Sequence, residues 1–121
     1  MMKCLVVDDS PVIRKVARRI LEGLDFHVEE AEDGQQALAL CQRDMPDAVL
    51  VDAVMPVMDG YEFLKTLRRT AGGSAPKALM WNTEYDVALV ARAIHSGADD
   101  VLMKPFDRAL VVEKLAQVGL A

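Results

Sequence analysis

Short apolar runs, each closed by a charged residue, recur along this chain. Lys3-Cys4-Leu5-Val6-Val7 runs into Asp8 and Asp9, Ala48-Val49-Leu50-Val51 into Asp52, and Val101-Leu102-Met103 into Lys104. Continuous apolar runs of this length read as strands buried on both faces of a parallel sheet. A further short segment around Phe26 to Glu30 and the run Lys77 to Trp81 supply two more strands. Between them the apolar spacing turns helical. Ser10-Pro11 offers a cap and a first-turn proline ahead of Ile13, Val16, Ala17, Ile20 and Leu24, with Gly23 near the end. Asp33 to Gln36 reads as a capping box before Ala37, Leu38, Leu40 and Cys41, a helix that ends by Pro46.

Asp59 to Glu62 opens a third helix through Tyr61, Leu64 and Leu67, and Gly72-Gly73-Ser74-Ala75-Pro76 is a loop too short to link domains. A fourth helix is expected from about Tyr85 to Ser96, stopped by Gly97, and a fifth from the Asp107 cap through Leu115. Strictly alternating strands and helices predict an α/β protein with a parallel sheet. No repeats or low-complexity tracts interrupt the pattern, and residues 1–121 are expected to form one domain.

The composition, 52% hydrophobic and 27% charged, is that of a folded chain. Nineteen Asp and Glu against 14 Lys and Arg leave a net charge of −5, which argues against nucleic-acid binding through the bulk surface. No apolar stretch has the roughly 18–20 residues that a membrane span needs, and Met1-Met2-Lys3 enters a strand directly, without a signal-peptide layout. Cys4 in a strand and Cys41 in a helix read as two reduced core thiols rather than a disulfide or metal site. A cytoplasmic location is expected.

In parallel sheets the carboxyl ends of the strands line one edge, where ligands bind. Asp8, Asp9, Asp52 and Lys104 should therefore meet in space. Three packed carboxylates repel unless a hard cation sits among them, and Mg²⁺ favours such oxygen ligands. The lysine opposite is a point charge suited to a phosphoryl group. A lone Asp after a strand is usually a helix cap, which is the reading given to Asp59 and Asp107. Capping explains at most one of Asp8 and Asp9.

On these residues the chain resembles a CheY-like response-regulator receiver domain over essentially its full length. The landmarks are Val7-Asp8-Asp9-Ser10, Asp52 with Met55-Pro56-Val57-Met58-Asp59-Gly60, and Lys104-Pro105-Phe106, in order and each closing its own strand. The resemblance implies a flavodoxin-like (βα)5 sandwich with strand order 2-1-3-4-5. It implies Asp52 as phosphoacceptor, attacking the phosphorus of a kinase phosphohistidine or a small phosphodonor. It implies Mg²⁺ bound directly by Asp9, Asp52 and the main-chain carbonyl of Val54, with Asp8 acting through water. Lys104 would pair with Asp52 at rest and with a phosphoryl oxygen afterwards, aimed inward by a cis bond before Pro105.

The chain departs from the family pattern in two places. The family's Ser or Thr at the end of strand four is here Asn82, with Thr83 next, and its aromatic three residues before the lysine is Val101. Asn82 can donate through its amide but cannot make the inward swing of Thr. A slip that puts Thr83 in that role is disfavoured by the spacing, and Thr83 is expected to crowd phosphodonor access. Val54 and Glu84 occupy positions that tune loss of the phosphoryl group, and an apolar Val54 predicts slow hydrolysis.

Arg14, Lys15, Arg18 and Arg19 form a basic stripe on the first helix. A solvated face and a docking site for a sensor histidine kinase or phosphotransfer protein stand level as readings. The resemblance places a downstream protein target on the face of helix 4, strand 5 and helix 5. His27 and His95 lack metal-ligand spacing, and Trp81 reads as core beside the pocket, a fluorescence reporter rather than a binding platform.

The expected function is a stand-alone response regulator, no enzyme beyond its own phosphorylation and dephosphorylation, without nucleic-acid or membrane partners. A phosphate sink or shuttle, or a constitutive interaction module, is the alternative that Asn82 and Val101 raise. From other classes, a flavin-binding electron carrier of the same fold needs a phosphate-cradling loop where Asp8-Asp9 stands. A small-molecule aspartyl phosphatase needs its nucleophile in an Asp-x-Asp arrangement on the first strand.

Overall fold

The structure, a computed structural model, describes residues 1–83 and 86–120. Its strands are β1 (Lys3–Val7), β2 (His27–Ala31), β3 (Ala48–Asp52), β4 (Lys77–Asn82) and β5 (Asp100–Met103). They alternate with helices α1 (Pro11–Gly23), α2 (Gly34–Arg43), α3 (Gly60–Arg69), α4 (Val87–Ser96) and α5 (Arg108–Gln117). All four pairings are parallel, in the order β2-β1-β3-β4-β5. The predicted flavodoxin-like order is the one observed.

Side-chain alternation along the strands divides the core in two. Leu5, Val7, Val49, Val51 and Met80 pack on one face with Phe63, Leu64 and Leu67 of α3. Cys4, Val6, Leu50, Leu79 and Trp81 pack on the other with Leu21 of α1 and Val111 and Leu115 of α5. Cys4 and Cys41 thus lie on opposite faces, both buried and free.

The expected helix starts are real caps. Ser10 Oγ accepts from Ile13 N, Asp33 from Gln36 N, Asp59 from Glu62 N and Asp107 from Leu110 N. The box at α2 closes differently, because Gln36 Oε1 accepts from the N–H of Glu32 rather than of Asp33. β2 also lies one residue later than expected, since Lys3 pairs with His27 and the register carries through to Val7 with Ala31. Asp86 caps α4, which begins at Val87; the expected start at Tyr85, like Glu84, falls outside the described residues. Among the described residues no helix is long and apolar enough to cross a membrane.

One unforeseen residue ties down the loops on the edge opposite the acids. Arg68 donates to the carbonyls of Gly73, Pro76 and Gly97, so the Gly-rich loop and the end of α4 share one guanidinium.

Candidate phosphoryl-acceptor site

Parallel pairing brings the ends of β1, β3, β4 and β5 to one edge. Asp8 follows β1, Asp52 ends β3, Asn82 ends β4 and Lys104 follows β5. One carboxylate oxygen from each of Asp8, Asp9 and Asp52 lies within 4.8 Å of the others. Asp9 is exposed, whereas Asp8 is 0% exposed and Asp52 is buried.

The backbone around the acids is tightly fixed. Asp8 N donates to the Ala31 carbonyl, and Asp8 Oδ1 accepts from Ser10 N at 2.9 Å. After β3 the chain turns through Val54 to Met58, where Val57 takes a φ of 69°, a left-handed conformation uncommon for a β-branched residue. Gly34 N holds that loop through the Met58 carbonyl, and Gly60 N closes it on the Ala53 carbonyl.

Lys104 Nζ lies 2.8 Å from Asp8 Oδ2 and 3.5 Å from Asp52 Oδ2. It therefore pairs with Asp52, as the resemblance implied, and more closely with Asp8, which was not expected. The bond before Pro105 is cis, as expected.

Trp81 lies beside the site, as the sequence implied, and makes a contact there that the sequence did not reveal. It is core, as predicted, and stacks on Phe106 with ring centroids 5.0 Å apart. Its Nε1 also donates to Asp8 Oδ2 at 2.9 Å. The buried Asp8 carboxylate thus accepts from a backbone N–H, an indole and an ammonium, the condition for keeping a charge in the interior. The residues are 73 apart in the chain, and no local pattern announces such a pair.

Burial, and then the charge of Asp8, pushes the Asp52 carboxyl up from 3.8 to about 6, with Lys104 and the Val54 backbone opposing. Because this carboxyl titrates higher folded than unfolded, its ionisation penalises the fold. The penalty is absent below the unfolded value and complete above about 6. In metal-free buffer, Asp52→Asn should raise stability by about 3 kcal/mol at neutral pH and leave it unchanged below pH ~4, read by urea unfolding.

The donor set fits a hard divalent cation. It offers three carboxylates and no nitrogen or sulfur ligand, it carries excess negative charge against a single lysine, and Asp9 faces solvent. Beside it opens a cleft of about 350 Å³ lined by Asp52, Asn82, Thr83, Lys104, Tyr61 and Arg92, among others. Asn82 and Thr83 both reach this cleft, Asn82 buried and Thr83 exposed. Tyr61, read only as a helix position, and Arg92 were not expected at the site because each looks like an ordinary helix residue in the sequence.

The basic stripe on α1 is divided. Arg14 and Arg18 both pair with Glu30 of β2, and Arg14 also donates to the Asp8 carbonyl. Lys15 and Arg19 remain exposed.

Residues 4–116 match the family model for the response regulator receiver domain. The chain is 41% identical over 105 residues to the response regulator MprA of Mycolicibacterium vanbaalenii, a match covering 87% of this chain and 45% of that protein. It therefore spans less than half the length of that relative. Chemotaxis protein CheY4 of Vibrio cholerae superposes with a TM-score of 0.93 at 36% identity, each chain covered to 98%. The receiver domain of sensor histidine kinase PA1611 from Pseudomonas aeruginosa, with a magnesium ion coordinated in its active-site cleft, gives a TM-score of 0.89 at 29% identity, again with 98% of each chain covered. With its fold, its acid cluster and these relatives, the chain belongs to the receiver domains of two-component response regulators, signalling modules rather than enzymes in the ordinary sense.

Proposed function

We propose that this receiver accepts a phosphoryl group on Asp52 from a histidine kinase or phosphotransfer protein and signals by protein contact. The observation that carries this reading is the placement of Asp52. It ends β3 at the rim of an open cleft, 3.5 Å from Lys104 and in reach of two further carboxylates. Mg²⁺ would be held by Asp9, Asp52 and the Val54 carbonyl, with Asp8 acting through water. When bound, the cation neutralises charge between the attacking carboxylate and the phosphoryl oxygens.

The protein's own groups divide the remaining work. The Asp52 carboxylate oxygen attacks phosphorus as the bond to the donor nitrogen breaks. Lys104 counters the charge of Asp8 at rest and sits close enough to turn to a phosphoryl oxygen. Trp81 and Ser10 keep Asp8 oriented. Thr83, exposed, and Asn82, buried, line the cleft at the end of β4. A flavin carrier is disfavoured by an edge whose donors are carboxylates.

Docking of the phosphodonor on the α1 side is supported by Lys15 and Arg19, exposed beside Val12 and Val16 at 68% and 42% exposure. An output face of α4, β5 and α5 is supported by a cleft of about 280 Å³ lined by Val90, Val101, Met103, Leu110 and Lys114. That residues 1–121 act as one receiver unit, in the cytoplasm, belongs to the same proposal; near-complete mutual coverage with CheY4 supports the first part. The sink or shuttle reading draws on Val101, a buried aliphatic where a swinging aromatic would couple site to surface.

Incubated with Mg²⁺ and acetyl phosphate, the protein should gain one phosphoryl group by intact mass, and chelating the metal should prevent it.

A further inference from the structure

The cleft beside Asp52 contains two donors that the transfer described above leaves idle. Asn82 is 6% exposed, and its Nδ2 makes no well-formed hydrogen bond among the described residues, the group it approaches being the Tyr61 hydroxyl. Native interiors rarely leave a buried amide N–H unsatisfied, and such a group calls for an explanation. Arg92 reaches in from α4 and lies over the Tyr61 ring, its Cζ 4.0 Å from the centroid. Both residues line the same cleft as Asp52 and Lys104.

Tyr61 is a fixed shelf. It is 4% exposed on α3, directly after Gly60, the residue that packs against the backbone of Asp52. Arg92 is exposed and pairs with no carboxylate among the described residues, so it is the part able to move. A guanidinium on an aromatic face trades that contact readily for a charge-assisted bond to an oxyanion, which is the stronger of the two. A phosphoryl group on Asp52 would present several acceptor oxygens, while Lys104 is already shared between Asp8 and Asp52.

We infer that Arg92 and Asn82 grip the phosphoryl group carried by Asp52, and that the departure of Arg92 from the Tyr61 ring conveys phosphorylation to α4. This deepens the receiver reading and rests on it. It supplies a route from site to surface in a chain that has Asn82 and Val101 where the family has a hydroxyl and an aromatic. The guanidinium spans the gap from the helix side, so no inward swing of residue 82 is required.

The test uses beryllium fluoride with Mg²⁺ as a phosphoryl mimic, with affinity read by calorimetry and the response of α4 by amide exchange over Val87–Ser96. Wild type should bind and change its α4 exchange. Arg92→Gln should weaken binding roughly tenfold, the loss of one charge-assisted hydrogen bond, and should abolish the exchange response. Arg92→Lys, which keeps the charge but loses the planar fork, should fall between. Wild-type affinity and an unchanged α4 response in Arg92→Gln would overturn the inference while leaving the receiver reading intact. Failure of wild type itself to bind the mimic and to gain mass from acetyl phosphate would overturn both.

Discussion

Gly60→Ala should destabilise the protein by about 3 kcal/mol or more and disturb the acceptor site along with the fold. A Cβ at this position falls inside the Asp52 carbonyl oxygen, with the carbonyl carbon and Met80 Cε each at 3.1 Å. The carbonyl belongs to the last residue of β3, paired with β4 through Asp52 and Trp81, and cannot withdraw without breaking that ladder. α3 must therefore back away, and its start is what anchors the acceptor loop through Gly60 N and the Ala53 carbonyl. Urea unfolding reads the loss directly. A variant as stable as wild type would mean that α3 can shift at little cost, contrary to the close packing of its first turn. Glycine stands here for want of a side chain rather than for an unusual φ.

Lys104→Met should also cost about 3 kcal/mol in metal-free buffer near neutral pH, for an electrostatic reason. The ammonium is paired with the carboxylate of the fully buried Asp8 and also opposes the burial and repulsion felt by Asp52. Removing it leaves Asp8 with two neutral donors, Ser10 N–H and Trp81 Nε1. Breaking a buried ion pair by deleting one partner strands the other charge. Stability should therefore fall most above about pH 6, where Asp52 is ionised, and recover in part as Asp52 protonates on acidification. The sign is opposite to that for Asp52→Asn, which removes a negative charge from the same cluster. Millimolar Mg²⁺ should restore part of the loss, since a divalent cation supplies the missing positive charge. Equal stability of variant and wild type in metal-free buffer would show that the ammonium does not offset the charge of the buried carboxylates.

The second effect follows from how three strand ends converge, and that convergence was legible in the sequence. The apolar runs before Asp8, Asp52 and Lys104 are long enough to be buried strands and short enough to end together. The helix starts were legible for the same local reason, because Ser10, Asp33, Asp59 and Asp107 each accept from a backbone N–H two or three residues inside the helix. What escaped depends on facing and reach. The choice of Lys104 between Asp8 and Asp52 is decided by a difference of 0.7 Å (3.5 against 2.8 Å) that no spacing rule resolves. The Trp81 contact with Asp8 joins residues 73 apart in the chain, brought together across β3, and Arg92 meets Tyr61 only because α4 packs beside α3. The stripe on α1 looked uniform because Glu30, which claims Arg14 and Arg18, comes from another element.

Phosphorylation of Asp52 is the central claim, and intact-mass spectrometry with peptide mapping tests it most directly. Wild type incubated with Mg²⁺ and acetyl phosphate should gain one phosphoryl group located at Asp52, and Asp52→Ala under the same conditions should gain none. A modified Asp52→Ala, or a wild type that stays unmodified even with a phosphohistidine donor, would contradict it.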